Sequence, residues 1–396
     1  MKNILMLTTL YPADDVKFLN NTAVCHYFAK EWALQGYNVR VFFLYNLFPH
    51  FFYPLLGLMK RKLANSSGIA VLDKYLPDEY DYVMDGVKIT RIPVKKSRPG
   101  GSYKVDNIAN VSNRIYEILQ EENFSPDLIL SHFLHPSLEI INHLKKIYGV
   151  LTAISIHGKE RVYSEQTAQY LKSVDFMGYR SYPIRKYFES LYGVKPCFFC
   201  FSGVPSRFIN EKPKSFEKGI HSFIYVGSLI RRKHPSCLIP AIAKTMKKDD
   251  FSITFVGDGN QQDLIKKVAK ENNCLDKLVF TGKIDRDLVT KELDKADVFI
   301  MLSSDETFGL VYLEAMARGC IVIASADEGM DGIIKDGENG FLCKAGDSEA
   351  LSRILTNINT MSAEHLRNIS ESALWTAKCM NDKKQAEDYI DFFKDK

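Results

Sequence analysis

The sequence predicts an α/β protein of two doubly wound, Rossmann-like domains facing a common cleft, and three observations predict it. Short apolar runs alternate with amphipathic segments along both halves, the pattern of helices crossing over a parallel sheet. The chain has 396 residues, which at about 150 residues per domain suggests two or three domains, with two as the working division. A polar stretch, 210–219, containing Pro213 and three lysines, follows Ser202-Gly203-Val204-Pro205 and reads as a linker between the halves.

The elements follow in order. In the first half the apolar runs Asn3 to Thr9, Tyr37 to Leu44, Asp127 to Ser131, Leu151 to Ile156, Val174 to Tyr179 and Pro196 to Phe201 predict strands. Amphipathic spacing predicts helices at Thr22 to Gln35 and Asp106 to Glu122. In the second half strands are expected at Ser222 to Val226, Ser252 to Val256, Lys277 to Phe280, Asp297 to Leu302 and Cys320 to Ala324. Each half is then a complete doubly wound unit, and ligands are expected at the carboxyl ends of its strands.

Composition narrows the function. Basic and acidic side chains nearly cancel, 52 against 48, so the charge that drives binding to a phosphate backbone is missing and nucleic acid is not an expected partner. Eight cysteines scattered through mostly apolar contexts in a chain this long fit a reducing cytoplasm better than a disulfide framework. The apolar run at the N-terminus is too short for a secretory segment and reads as the first strand. The stretch from Val41 to Met59 approaches membrane length, but Asn46, Pro49, His50 and Pro54 interrupt it.

The segment richest in chemistry runs from Ser303 to Gly319. A buried strand leads into a polar loop, and an amphipathic helix is expected to open at about Phe308. Amides at a helix start, with the positive end of its dipole, form an anion site, and Gly309 lets a diphosphate approach the backbone with no Cβ in the way. Glu306 in the loop and Glu314 in the helix could accept hydroxyl hydrogen bonds on either side of that diphosphate.

The Glu306-x7-Glu314 pattern, with Phe308-Gly309-Leu310 inside it and Leu313-Glu314-Ala315-Met316-Ala317 following, resembles the donor-site signature of retaining, family 4-like nucleotide-sugar glycosyltransferases of the GT-B fold. The likeness extends through the second half. Tyr225-Val226-Gly227-Ser228, with the basic Arg231-Arg232-Lys233, is similar to the family's diphosphate-holding loop. Phe255-Val256-Gly257-Asp258-Gly259 is similar to its next strand turn, and Thr281-Gly282-Lys283-Ile284 to the segment beside the base. Ser155-Ile156-His157-Gly158 resembles the histidine loop that touches the donor sugar, while Ser202-Gly203-Val204 with Phe208 resembles the interdomain crossover. Three departures stand out: the first strand-helix loop carries 14–21 where the family has paired glycines, Ser228 stands where an arginine is usual, and a glutamate often found after the signature helix is replaced around Asp331-Gly332.

The resemblance implies an acceptor-binding domain over 1–205, a donor-binding domain over 206–376, and a last helix within 377–396 that returns to the first domain. It implies His157, Lys233 and Glu306 as catalytic residues. Donor contacts are implied for Gly227, Ser228, Arg232, Lys233, Gly257, Lys283, Ile284, Glu306, Phe308, Gly309, Leu310 and Glu314. The donor would be a nucleoside diphosphate sugar, with UDP expected, and the acceptor a glycan or lipid-linked oligosaccharide for a surface polymer such as a capsule. Other outcomes are a small soluble acceptor, or a non-catalytic nucleotide-sugar-binding partner of an active transferase. No cofactor or metal is expected, on the reading that no Asp-x-Asp sits in a strand-end loop as a metal-diphosphate clamp.

Other motifs weigh less. Gly257-Asp258-Gly259 lacks the third glycine of a dinucleotide fingerprint. Cys197-Phe198-Phe199-Cys200 has zinc-knuckle spacing but no second pair, and is expected in the core. His132 and His135 follow a strand, and the sequence offers too few further ligands nearby for a metal role, so an acceptor contact or no role is expected. Finally, the aromatics Phe48, Phe51 and Phe52 precede Lys60-Arg61-Lys62, and six basic residues without an acid lie between Gly86 and Val105. A peripheral contact with anionic lipid and an insertion folded over the first domain explain these equally well.

Overall fold

The computed structural model describes residues 2–13, 23–53, 74–98, 101–159, 165–247 and 250–396. These form two compact units. The first comprises Met1–Tyr179, Phe188–Cys200 and Ala386–Lys396; the second comprises Arg180–Tyr187 and Phe201–Gln385.

In the first unit, β1 (Asn3–Thr8), α1 (Val24–Leu34) and β2 (Asn38–Leu47) are followed by a hairpin of β3 (Tyr80–Met84) and β4 (Val87–Lys95). Then come α2 (Val105–Glu121), β5 (Leu128–His132), α3 (Ser137–Tyr148), β6 (Leu151–Ile156), α4 (Glu165–Ser173), β7 (Phe176–Tyr179), α5 (Tyr182–Tyr192) and β8 (Cys197–Phe199). The sheet order is β3-β4-β2-β1-β5-β6-β7-β8. Every pairing is parallel except β3 with β4. Helices cover a parallel sheet on both faces, which is why β1, β5 and β6 are nearly continuous apolar runs. The order reverses between β1 and β5, the position at which open α/β sheets hold ligands.

The second unit contains β9 (Ser222–Val226), α6 (Leu238–Thr245), β10 (Ser252–Val256), α7 (Gln262–Glu271), β11 (Leu278–Gly282), α8 (Arg286–Lys295) and β12 (Val298–Ile300). It continues with α9 (Leu310–Ala317), β13 (Ile321–Ser325), β14 (Phe341–Cys343), α10 (Ser348–Thr360), α11 (Ala363–Cys379) and the start of α12 (Asp382–Asp391). Its six parallel strands run β11-β10-β9-β12-β13-β14, with the reversal between β9 and β12.

The unit boundaries differ from the expected 205/206 and 376/377 divisions. Residues 180–187 pack with the second unit: the Arg180 guanidinium lies 5.3 Å from the Phe308 ring centre, and the Tyr182 ring presses on the backbone at Gly332. Phe201 stacks on Phe308 at 5.8 Å, which draws the chain into that unit from 201. At the other end α11 is part of the second unit's core, so the return begins only within α12. The Val204 amide donates to the Met380 carbonyl at 3.0 Å, and the Asp382 amide donates back to Val204 at 3.1 Å. Gly203 permits this contact, since a Cβ there would stand 2.2 Å from the Asp382 nitrogen.

The end of the chain completes the first core. Tyr389, Ile390 and Phe393 are buried, and the Trp32 indole donates to the Ala386 carbonyl at 2.8 Å. The Phe393 ring meets Phe176 and Phe198 edge-on. Trp375, on α11 of the second unit, is 67% exposed.

Of the six basic residues between Gly86 and Val105, the hairpin takes up two, while Lys95, Arg98 and Lys104 stay exposed. Asp85 and Gly86 both have positive φ, +48° and +78°, which turns the chain so that Lys88 and Arg91 fall within β4. Lys88 pairs with Glu122 at 2.8 Å, and Arg91 is buried with its guanidinium 5.0 Å from the Tyr80 ring and 5.8 Å from Tyr45. Phe48 is buried as well, Phe52 is half-buried, and Phe51 is exposed. Lys60, Arg61 and Lys62 lie outside the described residues, as do 14–21. Among the described residues no helix is long and apolar enough to cross a membrane.

Removing Phe393 tests whether the last residues are integral to the first unit. Phe393→Ala should cost about 3–5 kcal/mol, as deletion of a buried ring does. A lowered denaturant midpoint checks this, and an unchanged midpoint would show that the terminal segment is only adherent.

Candidate active site

The carboxyl ends of β9, β10 and β12 build one end of the second unit. Gly227 and Gly257, directly after β9 and β10, carry φ of +154° and +136°. They lie so close that a Cβ on Gly257 would be 2.1 Å from the Gly227 carbonyl oxygen. A side chain would force the two loops apart, so glycine is required. The Leu229 amide then donates to the Asp258 carbonyl at 2.9 Å, tying the loops together.

Beyond Gly227 the chain makes a single turn of 3₁₀ helix at Arg231–Lys233, which aims two of its basic side chains at the loop following β12. The Lys233 Nζ lies 3.4 Å from a Glu306 carboxylate oxygen, and both side chains are largely buried. The Ser303 hydroxyl donates to the same carboxylate oxygen at 3.2 Å. Arg232 binds the backbone of that loop instead: its Nη1 donates to the Ser304 and Asp305 carbonyls at 3.4 and 3.3 Å. His234, in the left-handed conformation, bonds the Ser304 hydroxyl at 2.9 Å.

Gly309, with φ +84°, starts α9. A Cβ there would sit 2.4 Å from the Tyr312 ring, whose hydroxyl donates to the Met301 carbonyl at 2.7 Å. The expected helix start at Phe308 therefore moves to Leu310. The Phe308 ring is not presented at the loop; it is buried between Phe201 and Arg180. Glu314 is also more enclosed than its reading as an open hydroxyl acceptor implies. Its Oε1 accepts from Arg286 Nε at 2.5 Å, and burial pushes its carboxyl up from the ordinary range against the opposing pull of that guanidinium. Arg286 stands in an Asp-x-Asp, Asp285-Arg286-Asp287, at the start of α8. Asp285 precedes the helix without capping it through its side chain, and Asp287 is exposed and 3.3 Å from Arg207; the sequence reading passed over this pattern.

Of the remaining predicted positions, Ser228 is exposed and its carbonyl accepts from the Tyr225 hydroxyl at 3.0 Å. Lys283 is exposed just beyond β11, Ile284 packs against the second core, and Leu310 is half-buried at the helix start. His157 belongs to the first unit, at the end of β6, where its Nε2 lies 2.9 Å from His132 Nδ1 and its ring stacks on Phe133 at 3.9 Å.

The sequence reading passed over Glu328, on the turn after β13. Its two carboxylate oxygens accept from the amides of Asp305 and Glu306 at 3.0 and 2.8 Å, and the Gly329 amide donates to the Glu306 carbonyl at 3.0 Å. The available signal was an acid directly before a glycine at a strand end. Asp305 is held at φ +53°, and Glu328 holds the amides on both sides of that bend.

Two units, each a mainly parallel doubly wound sheet, with a basic turn, a glutamate loop and a glycine-started helix at the ends of the second sheet, define the class: a GT-B glycosyltransferase fold. Residues 207–374 match the model of the family Glycosyl transferases group 1. The chain is 32% identical over 151 residues to the N-acetyl-alpha-D-glucosaminyl L-malate synthase of Bacillus anthracis, covering 38% of this chain and 39% of that protein. It thus spans about two fifths of that relative. An uncharacterized glycosyltransferase of Methanocaldococcus jannaschii is 25% identical over 366 residues, 87% of this chain and 98% of that one. Among solved structures, Anabaena HepE in complex with UDP superposes with a TM-score of 0.69 at 16% identity over 100% of both chains. A sucrose-phosphate synthase from Thermosynechococcus elongatus gives 0.69 at 18% identity, over 100% of this chain and 99% of that one.

Glu328→Ala should release the Asp305 and Glu306 amides. Losing hydrogen bonds to a charged acceptor costs about 1.5–3 kcal/mol, so hydrogen exchange at these two amides should accelerate roughly tenfold or more. Unchanged protection would mean that Arg232 and Gly329 suffice to hold the loop.

Proposed function

We propose that the protein is a retaining glycosyltransferase. It moves a sugar from a nucleoside diphosphate sugar, with UDP as the nucleotide, to a hydroxyl of a glycan or lipid-linked oligosaccharide in surface polysaccharide synthesis. The observation that carries this reading is the Lys233–Glu306 pair, 3.4 Å apart where the order of the second sheet reverses. The family match over 207–374 supports it, and the structural likeness to HepE, solved in complex with UDP, supports the nucleotide.

The chemistry is electrostatic and positional. As the glycosidic bond breaks, negative charge develops on the diphosphate, and Lys233, Arg232 and the amides of Gly309 and Leu310 stabilise it. A diphosphate competing for Lys233 releases the Glu306 carboxylate to accept hydroxyl bonds from the sugar. Glu314 contacts the ribose through the oxygen not held by Arg286, and the resemblance assigns His157 a sugar contact. The acceptor oxygen bonds to the anomeric carbon on the face the diphosphate leaves, and the departing phosphate oxygen takes the acceptor proton. The reaction then needs neither a protein nucleophile nor a metal.

A small soluble acceptor is a second reading, favoured by the identity to the L-malate synthase. Release of nucleoside diphosphate from a panel of nucleotide sugars, each with soluble and lipid-linked acceptors, separates the two. No release from any donor, together with no donor-induced thermal stabilisation, would overturn the enzymatic reading.

Glu306→Ala and Lys233→Ala should each lower turnover by roughly 10²-fold or more, as loss of one charge-stabilising group does. Turnover should persist in excess chelator; complete loss restored by magnesium or manganese would reject the metal-free mechanism. For a membrane-borne acceptor, exposed Phe51 with the exposed Lys95, Arg98 and Lys104 is the support, so Phe51→Ser should weaken salt-sensitive sedimentation with anionic liposomes. Equal recovery in the supernatant with and without liposomes would reject that attachment.

A further inference from the structure

Arg286 is the first residue of α8, and it reaches the carboxylate of Glu314 on α9. Its Nε donates to Glu314 Oε1 at 2.5 Å, while the second carboxylate oxygen makes no hydrogen bond among the described residues and is not sealed from solvent. We propose that Arg286 is a positioning residue for the donor: by holding one oxygen of Glu314 it presents the other to a single hydroxyl of the donor's ribose. This role rests on the proposed reading of Glu314 as the ribose contact, and it names what aims that contact.

An enclosed carboxylate is costly to leave half satisfied, because the water that would bond its second oxygen is largely excluded. Glu314 is such a group. Burial pushes its carboxyl up, and the guanidinium beside it pulls the other way, favouring the charged form that accepts hydroxyl bonds most strongly. A ribose hydroxyl would satisfy the remaining oxygen directly. With Oε1 committed to Arg286, one oxygen faces two adjacent hydroxyls, so removing one of them should matter far more than removing the other.

The aim is held from several sides. The Arg286 guanidinium lies 5.0 Å from the centre of the buried Phe208 ring. The Phe208 carbonyl accepts from Nη1 of Arg318, just past α9, at 3.0 Å. Arg318 in turn forks onto Asp294 of α8, Nε to Oδ1 at 2.7 Å and Nη2 to Oδ2 at 2.5 Å, the bidentate geometry that fixes a guanidinium most firmly. The two helices are thus tied at two points, Arg286 to Glu314 and Asp294 to Arg318. Glu314 also lies one helical turn from Leu310, about 6 Å along α9. A diphosphate on the amides that start the helix and a ribose on Glu314 are then read from one rigid element.

The test is the affinity of the full-length protein for UDP and for its 2′-deoxy and 3′-deoxy counterparts, by isothermal titration. The parent should prefer UDP over one of the two by roughly tenfold or more, as loss of a hydrogen bond to a charged acceptor implies. Arg286→Met keeps an unbranched stem over Phe208 without the charge. It should weaken UDP by roughly tenfold or more yet leave the affinity for that deoxy counterpart nearly unchanged, so that the preference collapses. Arg286→Lys, which retains a cation, should recover part of it. Thermal melts show whether each variant is folded. An undiminished preference in folded Arg286→Met, an equal loss for UDP and both counterparts, or an Arg286→Lys no better than Arg286→Met would make Arg286 a structural clamp only; each overturns the positioning role while the donor reading stands. A parent that binds all three nucleotides alike would remove the ribose contact and the role with it. No binding of UDP by the parent would overturn the donor reading itself, and this role falls with that reading.

Discussion

The arrangement of the second unit depends on two backbones touching where side chains would ordinarily keep them apart. Gly257 lies against the Gly227 peptide with room for a hydrogen and nothing larger. Because β9 and β10 end in this contact, the chain after Gly227 is bent at once into the basic turn instead of running on past the sheet. Lys233 can then reach across β9 toward Met301 and the carboxylate that follows it. A methyl group at Gly257 would push against the Gly227 carbonyl and shift the loop that carries the basic turn facing Glu306.

The facing loop is restrained from two directions by opposite charges. A guanidinium, Arg232, holds its carbonyls, and a carboxylate, Glu328, holds its amides. Backbone dipoles are thereby fixed on both ends, and the left-handed residue between them has no need of a glycine. Arg232 therefore acts on Glu306 through the backbone as well as by its charge, and Glu328 completes the restraint from a different strand end. Positioning of the glutamate is shared among β9, β12 and β13.

Much of this was legible because parallel strands buried on both faces must be apolar throughout. Leu151–Ile156, Ser222–Val226 and Ser252–Val256 appear with the bounds their apolar runs predicted. The β3–β4 hairpin was not, since β4 alternates apolar residues with Lys88, Arg91 and Lys95 and presents itself as charge rather than as strand. Asp85-Gly86 was the signal in plain view, a dipeptide suited to positive φ at both positions. In the candidate site, the order of glycine turns and glutamates could be read along the chain. Phe308 turned inward and Glu314 met Arg286 because burial of a ring and pairing of an enclosed charge are settled in three dimensions.

The two tryptophans of the chain fall one to each unit, and their surroundings could hardly differ more. Trp32 is enclosed by Phe28 and Tyr389 and bonded to the carbonyl of Ala386, while Trp375 stands in water on α11. Ultraviolet emission from the native protein is accordingly a sum of a blue component from the first unit and a red one from the second. Loosening of the first unit alone shifts the blue component toward the red and leaves the other where it was. The molecule carries its own optical label for whichever half gives way first.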